Sequence, residues 1–147
     1  IKKKLRGYVS INVQTGEALD KFQALIEAQG GDGTIVDDPE RLPSASFKTE
    51  VISHSEGYVE KIDAYRIGLA ATALGAGRAT AEDSIDPAVG LELRVKCGSW
   101  VDKGTVLAIA HHNMPLGLVR GEIEECFIVS DTFPKEYPLV IAKIGPS

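Results

Sequence analysis

The chain has 147 residues, of which 44% are hydrophobic and 25% are charged, as expected for one soluble globular domain with a core of its own. No apolar run approaches the roughly 20 residues of a membrane helix, so the sequence predicts a chain that does not span a bilayer. The formal net charge of -5 argues against nonspecific nucleic-acid binding, which usually depends on a basic face.

The cysteine pattern favours a reducing compartment. Cys97 and Cys126 are the only cysteines, and they lack the spacing of a redox or zinc motif. We therefore expect two free, partly buried thiols, a cytoplasmic location and no signal peptide. The chain opens at Ile1 on a basic segment without an initiator Met, and we expect it to be a piece of a longer protein.

The first 43 residues are predicted to form an N-terminal segment with one helix and a turn-rich connector. Residues 1–13 carry only a weak strand or helix signal. A helix is predicted over about 16–29, with Thr15 as its N-cap and Gly30 as its stop. Residues 30–43, rich in Gly, Asp and Pro, then lead to a second domain at 44–147. Apolar residues spaced three and four apart predict one buried helix face: Leu19, Phe22, Leu25 and Ile26.

The second domain begins with strands and a helix. Two short strands are predicted over 47–52 and 58–62. Asp63 is the predicted N-cap of a helix with apolar residues on both sides, so we expect burial on more than one side. Gly68, which costs stability in mid-helix, is expected at a close crossing. Gly75 is predicted to end this helix in a left-handed conformation.

The rest of the chain alternates irregularly between strands and helices. An exposed acidic loop is predicted over 79–87, a half-buried strand over 91–96 and a nearly all-apolar central strand over 105–110. A weaker helix over 114–125 and strands over 127–130 and 139–144 complete the chain. Short strands mixed with about three helices predict an α+β fold.

The obvious acid–base and metal candidates are His54, His111 and His112. His111 and His112 are adjacent at the end of a strand, so their side chains are expected on opposite faces. No Cys or carboxylate stands at a typical ligand spacing, and the serines lack a nucleophile-elbow setting. The residues therefore predict no metal site and a domain that is not self-sufficient for catalysis.

The turn Gly75-Ala76-Gly77-Arg78 has the composition of a phosphate loop, because glycines expose backbone N–H groups and Arg pairs with phosphate. Phosphate loops, however, lie at helix N-termini, whereas this turn follows a helix C-terminus, where the field repels anions. The alternative is a helix stop with Arg78 tied to a carboxylate. The acidic residues of the next loop are expected to face solvent: Glu82, Asp83 and Asp86.

Two groups of residues resemble motifs of one enzyme family. The first is a helix and turn formed by Gly16, Ala18, Leu19, Lys21, Phe22 and Glu27 to Asp32. The second comprises Gly57-Tyr58-Val59, Ile62-Asp63-Ala64, Ile67-Gly68, Leu74 to Arg78, Asp83, Ile85-Asp86, Val89-Gly90, Lys96, Gly98, Val101 and Gly104. Over residues 15–113 this combination is similar to the C-terminal domain of thymidine and pyrimidine nucleoside phosphorylases, while the two ends of the chain fit less well.

The resemblance implies an α/β-hammerhead related to the barrel-sandwich hybrids of biotinyl and lipoyl carriers. It also implies phosphorolysis, in which phosphate attacks C1′ of a pyrimidine nucleoside to give the free base and (deoxy)ribose 1-phosphate. The family binds phosphate and nucleoside in its helical and α/β domains, which this chain lacks. The resemblance therefore places no catalytic residue, metal or cofactor here. It implies that the chain alone is inactive and that the parent enzyme is a homodimer.

The resemblance suggests two readings of the turn and leaves one alternative function open. Gly75, Gly77 and Arg78 are expected to position a loop that rims the substrate cleft, or they only end a helix. The alternative function is a free-standing barrel-sandwich module that carries biotin or lipoate. Its modified lysine would be Lys103, but the setting Asp102-Lys103-Gly104 matches neither usual motif.

Overall fold

A computed structural model describes residues 15–78 and 80–135 of the chain. The chain divides into two compact units, and the boundary falls between Pro43 and Ser44. The predictions for residues 1–13 and for a strand over 139–144 lie outside the described residues. Within the described ranges, no helix combines the length and the apolar character that crossing a bilayer requires.

The described part of the N-terminal unit, residues 15–43, contains one α-helix and two short 3-10 turns: α1 (Glu17–Ala28), Gly33–Val36 and Pro39–Arg41. The predicted Thr15 cap is wrong, because the helix begins after Gly16, whose φ of 80° starts the first turn without a side-chain cap. The predicted stop is confirmed. Gly30 has a φ of 80°, and the Gly31 N–H donates to the Ile26 carbonyl at 2.9 Å, which completes a Schellman motif.

The predicted burial of one α1 face is wrong. Leu19, Phe22 and Leu25 are 56%, 54% and 52% exposed, and no residue of α1 is buried. The turn that follows packs on another side of the helix, where buried Gly33 lies against the side chain of Glu27. The helical spacing is therefore correct, but the described part of this unit does not cover the apolar side.

The described residues of the C-terminal unit form two three-stranded antiparallel sheets and two α-helices. Its elements are β1 (Phe47–Ile52), β2 (Gly57–Ile62), α2 (Ala64–Ala71), β3 (Gly90–Leu93), β4 (Trp100–Val101), β5 (Val106–His112), α3 (Val119–Glu124) and β6 (Phe127–Ser130). One sheet has the order β1-β5-β3, and the other has the order β4-β2-β6. The predicted α+β class is confirmed, and so is the central position of β5.

A single apolar core joins both sheets and both helices of this unit. The strands contribute Val51, Val59, Val101 and three residues of β5, and Ala70 comes from α2. Ile123 of α3 is fully buried, as are Val51 and Val59. Strands from both sheets therefore bury side chains in the same cluster, and this cluster fixes the ends of the described loops that connect them.

Helix α2 differs from its prediction on one side. The Asp63 cap is confirmed, since its carboxylate accepts a hydrogen bond from the Arg66 N–H at 3.1 Å, and this bond is the largest cause of a lowered Asp63 pKa. The close crossing at Gly68 is wrong, because Gly68 is exposed and a Cβ there would meet no atom within 4 Å. Leu69 is 53% exposed, so α2 lies on the surface and buries only the side that holds Ala70.

Two other elements are shorter than predicted. The strand predicted over 91–96 ends at Leu93, because the chain enters a turn in which the Ser99 N–H donates to the Lys96 carbonyl. The helix predicted over 114–125 begins only at Val119, after Pro115 and after Gly117 with its φ of 51°.

Candidate functional site

The turn after α2 begins as a single π-helical turn, Thr72–Ala76. Gly75 within it has φ 102° and ψ 2°, so the predicted left-handed conformation is confirmed. Such a turn widens the helix and leaves its last carbonyls free for partners outside the helix. One of these carbonyls, that of Gly75, accepts the N–H of Asp86 at 2.9 Å.

Gly77 is required for a different reason from Gly75. Its φ of -146° and ψ of 179° are extended and open to any residue. A Cβ at Gly77 would, however, lie 2.5 Å from the Thr72 hydroxyl oxygen. That hydroxyl donates to the Gly68 carbonyl at 3.0 Å, so the obstructing atom is already held in place.

Arg78 is exposed, and no carboxylate among the described residues lies within ion-pairing distance of it. The expected tie between Arg78 and a carboxylate is therefore wrong for the described part of the chain. The guanidinium faces solvent directly after the carbonyl end of a helix, where a positive charge is favourable.

The acidic loop is less uniform than predicted. Glu82 and Asp83 are exposed as expected, and the Asp83 carboxylate accepts hydrogen bonds from the N–H and the hydroxyl of Thr80. The solvated position expected for Asp86 is wrong. Its side chain is half-buried and accepts hydrogen bonds from the Asn113 side-chain amide at 2.7 Å and from the Ala88 N–H at 2.9 Å.

Asn113 connects this loop to the sheet. Its side-chain oxygen accepts the Ser46 N–H at 2.8 Å, while its Nδ2 donates to Asp86 Oδ2. Only one orientation of the amide satisfies both bonds. Asn113 directly follows β5 and Ser46 directly precedes β1, so one side chain joins the loop to two paired strands. Sequence reasoning missed this role, because Asn113 and Asp86 are 27 positions apart.

The two adjacent histidines have separate environments, as predicted. His112 is buried, shares a hydrogen bond with the Thr49 hydroxyl at 2.9 Å, and donates from Nδ1 to the Met114 carbonyl at 2.7 Å. His111 lies on the other face, 3.4 Å from a Glu92 carboxylate oxygen. No group of three metal-ligating side chains occurs among the described residues.

A groove of about 360 Å³ lies beside the β1–β2 connection and brings together residues that are distant in sequence. His54 Nε2 is 3.3 Å from a Glu124 carboxylate oxygen, and the other oxygen of Glu124 accepts from Arg120 Nε at 3.1 Å. The neighbouring Ser53 hydroxyl donates to the Ser55 carbonyl at 2.6 Å instead of to a histidine. The groove therefore contains no activated nucleophile.

The two thiols have different environments. Cys126 is buried and donates to the Glu122 carbonyl at 3.1 Å, and its burial raises the pKa of the thiol. Cys97 is exposed, so the expectation of a partly buried thiol is wrong there. Both cysteines are free, as predicted.

Comparison with known proteins finds a family match within the C-terminal unit. Residues 58–120 match the family model of the pyrimidine nucleoside phosphorylase C-terminal domain. Proteins named pyrimidine-nucleoside phosphorylase are similar to this chain over 101 residues, with 46% identity in Staphylococcus epidermidis, 48% in Bacillus subtilis and 46% in Staphylococcus aureus. Over residues 58–120 the chain is therefore similar to the C-terminal domain of pyrimidine nucleoside phosphorylases. The similarity covers 69% of the chain but only 23% of each relative, so the chain spans less than a quarter of these proteins.

The match to the phosphorylase C-terminal domain includes the whole candidate site. It runs from β2 through α2 and the acidic loop to the start of α3, and so contains Gly75, Gly77, Arg78, Asp86 and Asn113. The described residues of this domain position a turn and an exposed cation. They do not assemble a nucleophile with a base.

Proposed function

We propose that this chain is the noncatalytic C-terminal part of an enzyme that cleaves pyrimidine nucleosides by phosphorolysis. The identity of 46–48% to proteins named pyrimidine-nucleoside phosphorylase carries this proposal. In the reaction, a phosphate oxygen bonds to C1′ while the bond from C1′ to the base nitrogen breaks. Phosphate and nucleoside bind to helical and α/β domains upstream of residues 1–43, and residues 44–147 pack against these domains.

The contribution of this domain is to help close the cleft. Water competes with phosphate for C1′, so a rim that excludes water favours phosphorolysis over hydrolysis. Gly75 and Gly77 set the path of the chain into the rim, and Arg78 presents a solvent-facing guanidinium on it. Arg78 then contacts the α/β domain when the cleft closes.

The assembled enzyme is proposed to be a cytoplasmic homodimer that requires no cofactor. The two free thiols are consistent with a reducing compartment. The carrier-module alternative gains no support, because Lys103 lies in a turn between β4 and β5, which belong to different sheets, and so is not at a hairpin tip. Intact-mass measurement of the purified protein checks this, since a biotin or lipoate adduct would revive the alternative.

The test uses phosphorolysis of uridine and thymidine, assayed for the 147-residue chain, for the full-length enzyme and for its Arg78→Ala and Arg78→Lys variants. We expect no turnover by the chain alone and turnover by the full-length enzyme. We expect kcat/KM to fall about tenfold in Arg78→Ala and less in Arg78→Lys, which retains the charge. A folded Arg78→Ala enzyme with wild-type kinetics would remove the rim role, and an inactive full-length enzyme would remove the proposed reaction.

A further inference from the structure

The hydrogen bonds around Asp86 hold one end of the segment that runs from Gly75 to Asp86. We refer to this segment, which forms the proposed rim of the cleft, as the cleft-rim segment. The backbone bond from the Asp86 N–H to the Gly75 carbonyl, at 2.9 Å, brings the two ends of the loop together. Loops with adjacent ends form compact surface structures whose position depends on how those ends are fixed. At the Gly75 end, the connection to α2 fixes the chain. At the Asp86 end, the fixed contact is the side chain of Asn113.

The contact between Asp86 and Asn113 has the features of a strong hydrogen bond. Its length of 2.7 Å is typical of a bond to an ionised acceptor, and such bonds are about twice as strong as neutral ones. The second Asp86 oxygen accepts the Ala88 N–H, and the Asn113 oxygen accepts the Ser46 N–H. Every polar atom of the two side chains thus has one defined role, which fixes both rotamers.

These contacts assign a role to Asn113. We propose that Asn113 is a positioning residue for phosphorolysis, acting by holding the Asp86 end of the cleft-rim segment against the start of β1 and the end of β5. This proposal rests on the proposed function, because the segment is a cleft rim only if the domain closes over a substrate. In this role Asn113 acts through its bond to Asp86 and not by contact with the reacting atoms. We refer to the two side chains and their mutual bond as the Asp86–Asn113 tie.

The chemistry of the tie allows a donor–acceptor exchange. Asn113→Asp places two carboxylates against each other at the present 2.7 Å contact, so that bond is lost. Asp86→Asn either brings two NH₂ groups together or, if the new amide rotates, gives up the bond from Ala88. The double variant Asp86→Asn with Asn113→Asp keeps all three side-chain bonds, with the donor now at position 86 and the acceptor at position 113. It also keeps the wild-type net charge.

The experiment compares the two single variants with the double variant in the full-length enzyme and in the 147-residue chain. In the enzyme, we expect each single variant to lower kcat/KM about tenfold, mainly through kcat, because closure follows nucleoside binding. In the chain, we expect faster amide hydrogen exchange over residues 80–88 in each single variant, with β5 exchange unchanged. The double variant is expected to restore both measurements to within about twofold of wild type.

Several outcomes would overturn the proposal. Single variants with wild-type exchange over residues 80–88 contradict the tie. If the double variant restores the exchange rates but not kcat/KM, Asn113 has only a structural role. The same conclusion follows if exchange in β5 rises as much as exchange over residues 80–88 in the single variants. If the single variants do not fold, Asn113→Ala removes the bond without like-charge repulsion and must show the same two effects. If the wild-type enzyme shows no phosphorolysis, the proposed function and the positioning role of Asn113 are both wrong. The exchange data test the Asp86–Asn113 tie independently of the reaction.

Discussion

At the residue scale, Gly75 and Gly77 look alike in sequence but are required for different reasons. Gly75 has a φ of 102°, where a side chain strains the backbone, and a Cβ there would make only ordinary contact with Val89 at 3.6 Å. Gly77 has an extended backbone but no room, because the Thr72 hydroxyl oxygen lies 2.5 Å from the position of its Cβ. The sequence predicted the first requirement from the helix stop. It gave no sign of the second, which depends on a side chain five positions away.

This difference predicts which substitution can be rescued. Gly77→Ala is expected to destabilise the domain by about 1–2 kcal/mol through the clash with Thr72. In a Thr72→Ala background the same substitution is expected to cost less than about 0.5 kcal/mol, because the obstructing oxygen is gone. Urea unfolding of the wild-type protein, the two single variants and the double variant measures the coupling between positions 72 and 77. Thr72→Val is the matched control background, because it keeps an atom in the place of the hydroxyl oxygen and should therefore keep the cost of Gly77→Ala. Additive costs in the Thr72→Ala background would contradict the clash.

At the element scale, some local signals were interpreted correctly, whereas periodicity did not predict what an element buries. The Asp63 cap and the apolar run that forms most of β5 were identified correctly, because each depends on a few neighbouring residues. The apolar spacing of α1 and the apolar far side of α2 were both read as burial, yet Phe22 and Leu69 are more than half exposed. Periodicity identifies an apolar face, but it does not reveal whether a neighbour covers that face.

Two glycines in regular elements give a direct test of this distinction. Gly68→Ala in α2 is expected to stabilise the domain by about 0.5–1 kcal/mol, because the site is open and Ala favours the helix. Gly57→Ala at the start of β2 is expected to destabilise it by more than about 2 kcal/mol. A Cβ there would lie 2.6 Å from the Ser130 carbonyl oxygen, and φ is 144°. Thermal unfolding of the two variants measures both effects. A lower Tm for Gly68→Ala than for wild type would mean that a neighbour packs closely against Gly68, which contradicts the open site in the structure.

At the scale of the whole molecule, the sequence pointed to only some of the residues described at the candidate site. Gly75, Gly77 and Arg78 were proposed because they form one contiguous motif next to a helix end. Asn113 was missed, since its contacts with Asp86 and Ser46 arise only when the end of β5, the start of β1 and the loop come together. The pairing of His54 with Glu124, 70 positions apart, was missed for the same reason. Contacts of long sequence separation depend on topology, which single-residue patterns do not specify.

The apolar side of α1 tests the proposal that the chain works inside a larger enzyme. If upstream domains cover this side, Phe22→Ser has different consequences in the two settings. In the 147-residue chain we expect the free energy of unfolding to change by less than about 0.5 kcal/mol, because the side chain is 54% exposed. In the full-length enzyme the same change would remove a buried aromatic ring and cost about 3 kcal/mol.

Parallel urea titrations of both proteins, followed by far-UV circular dichroism, measure the difference. Asp20→Asn is the matched control, because Asp20 is exposed and lies outside the groove that Phe22 lines, and it is expected to leave both proteins unchanged within about 0.5 kcal/mol. Equal small effects of Phe22→Ser in the two proteins would show that the upstream domains do not cover α1. A large effect confined to the full-length enzyme places the missing contact on the apolar side of α1, since the isolated chain retains every contact that α1 makes within it.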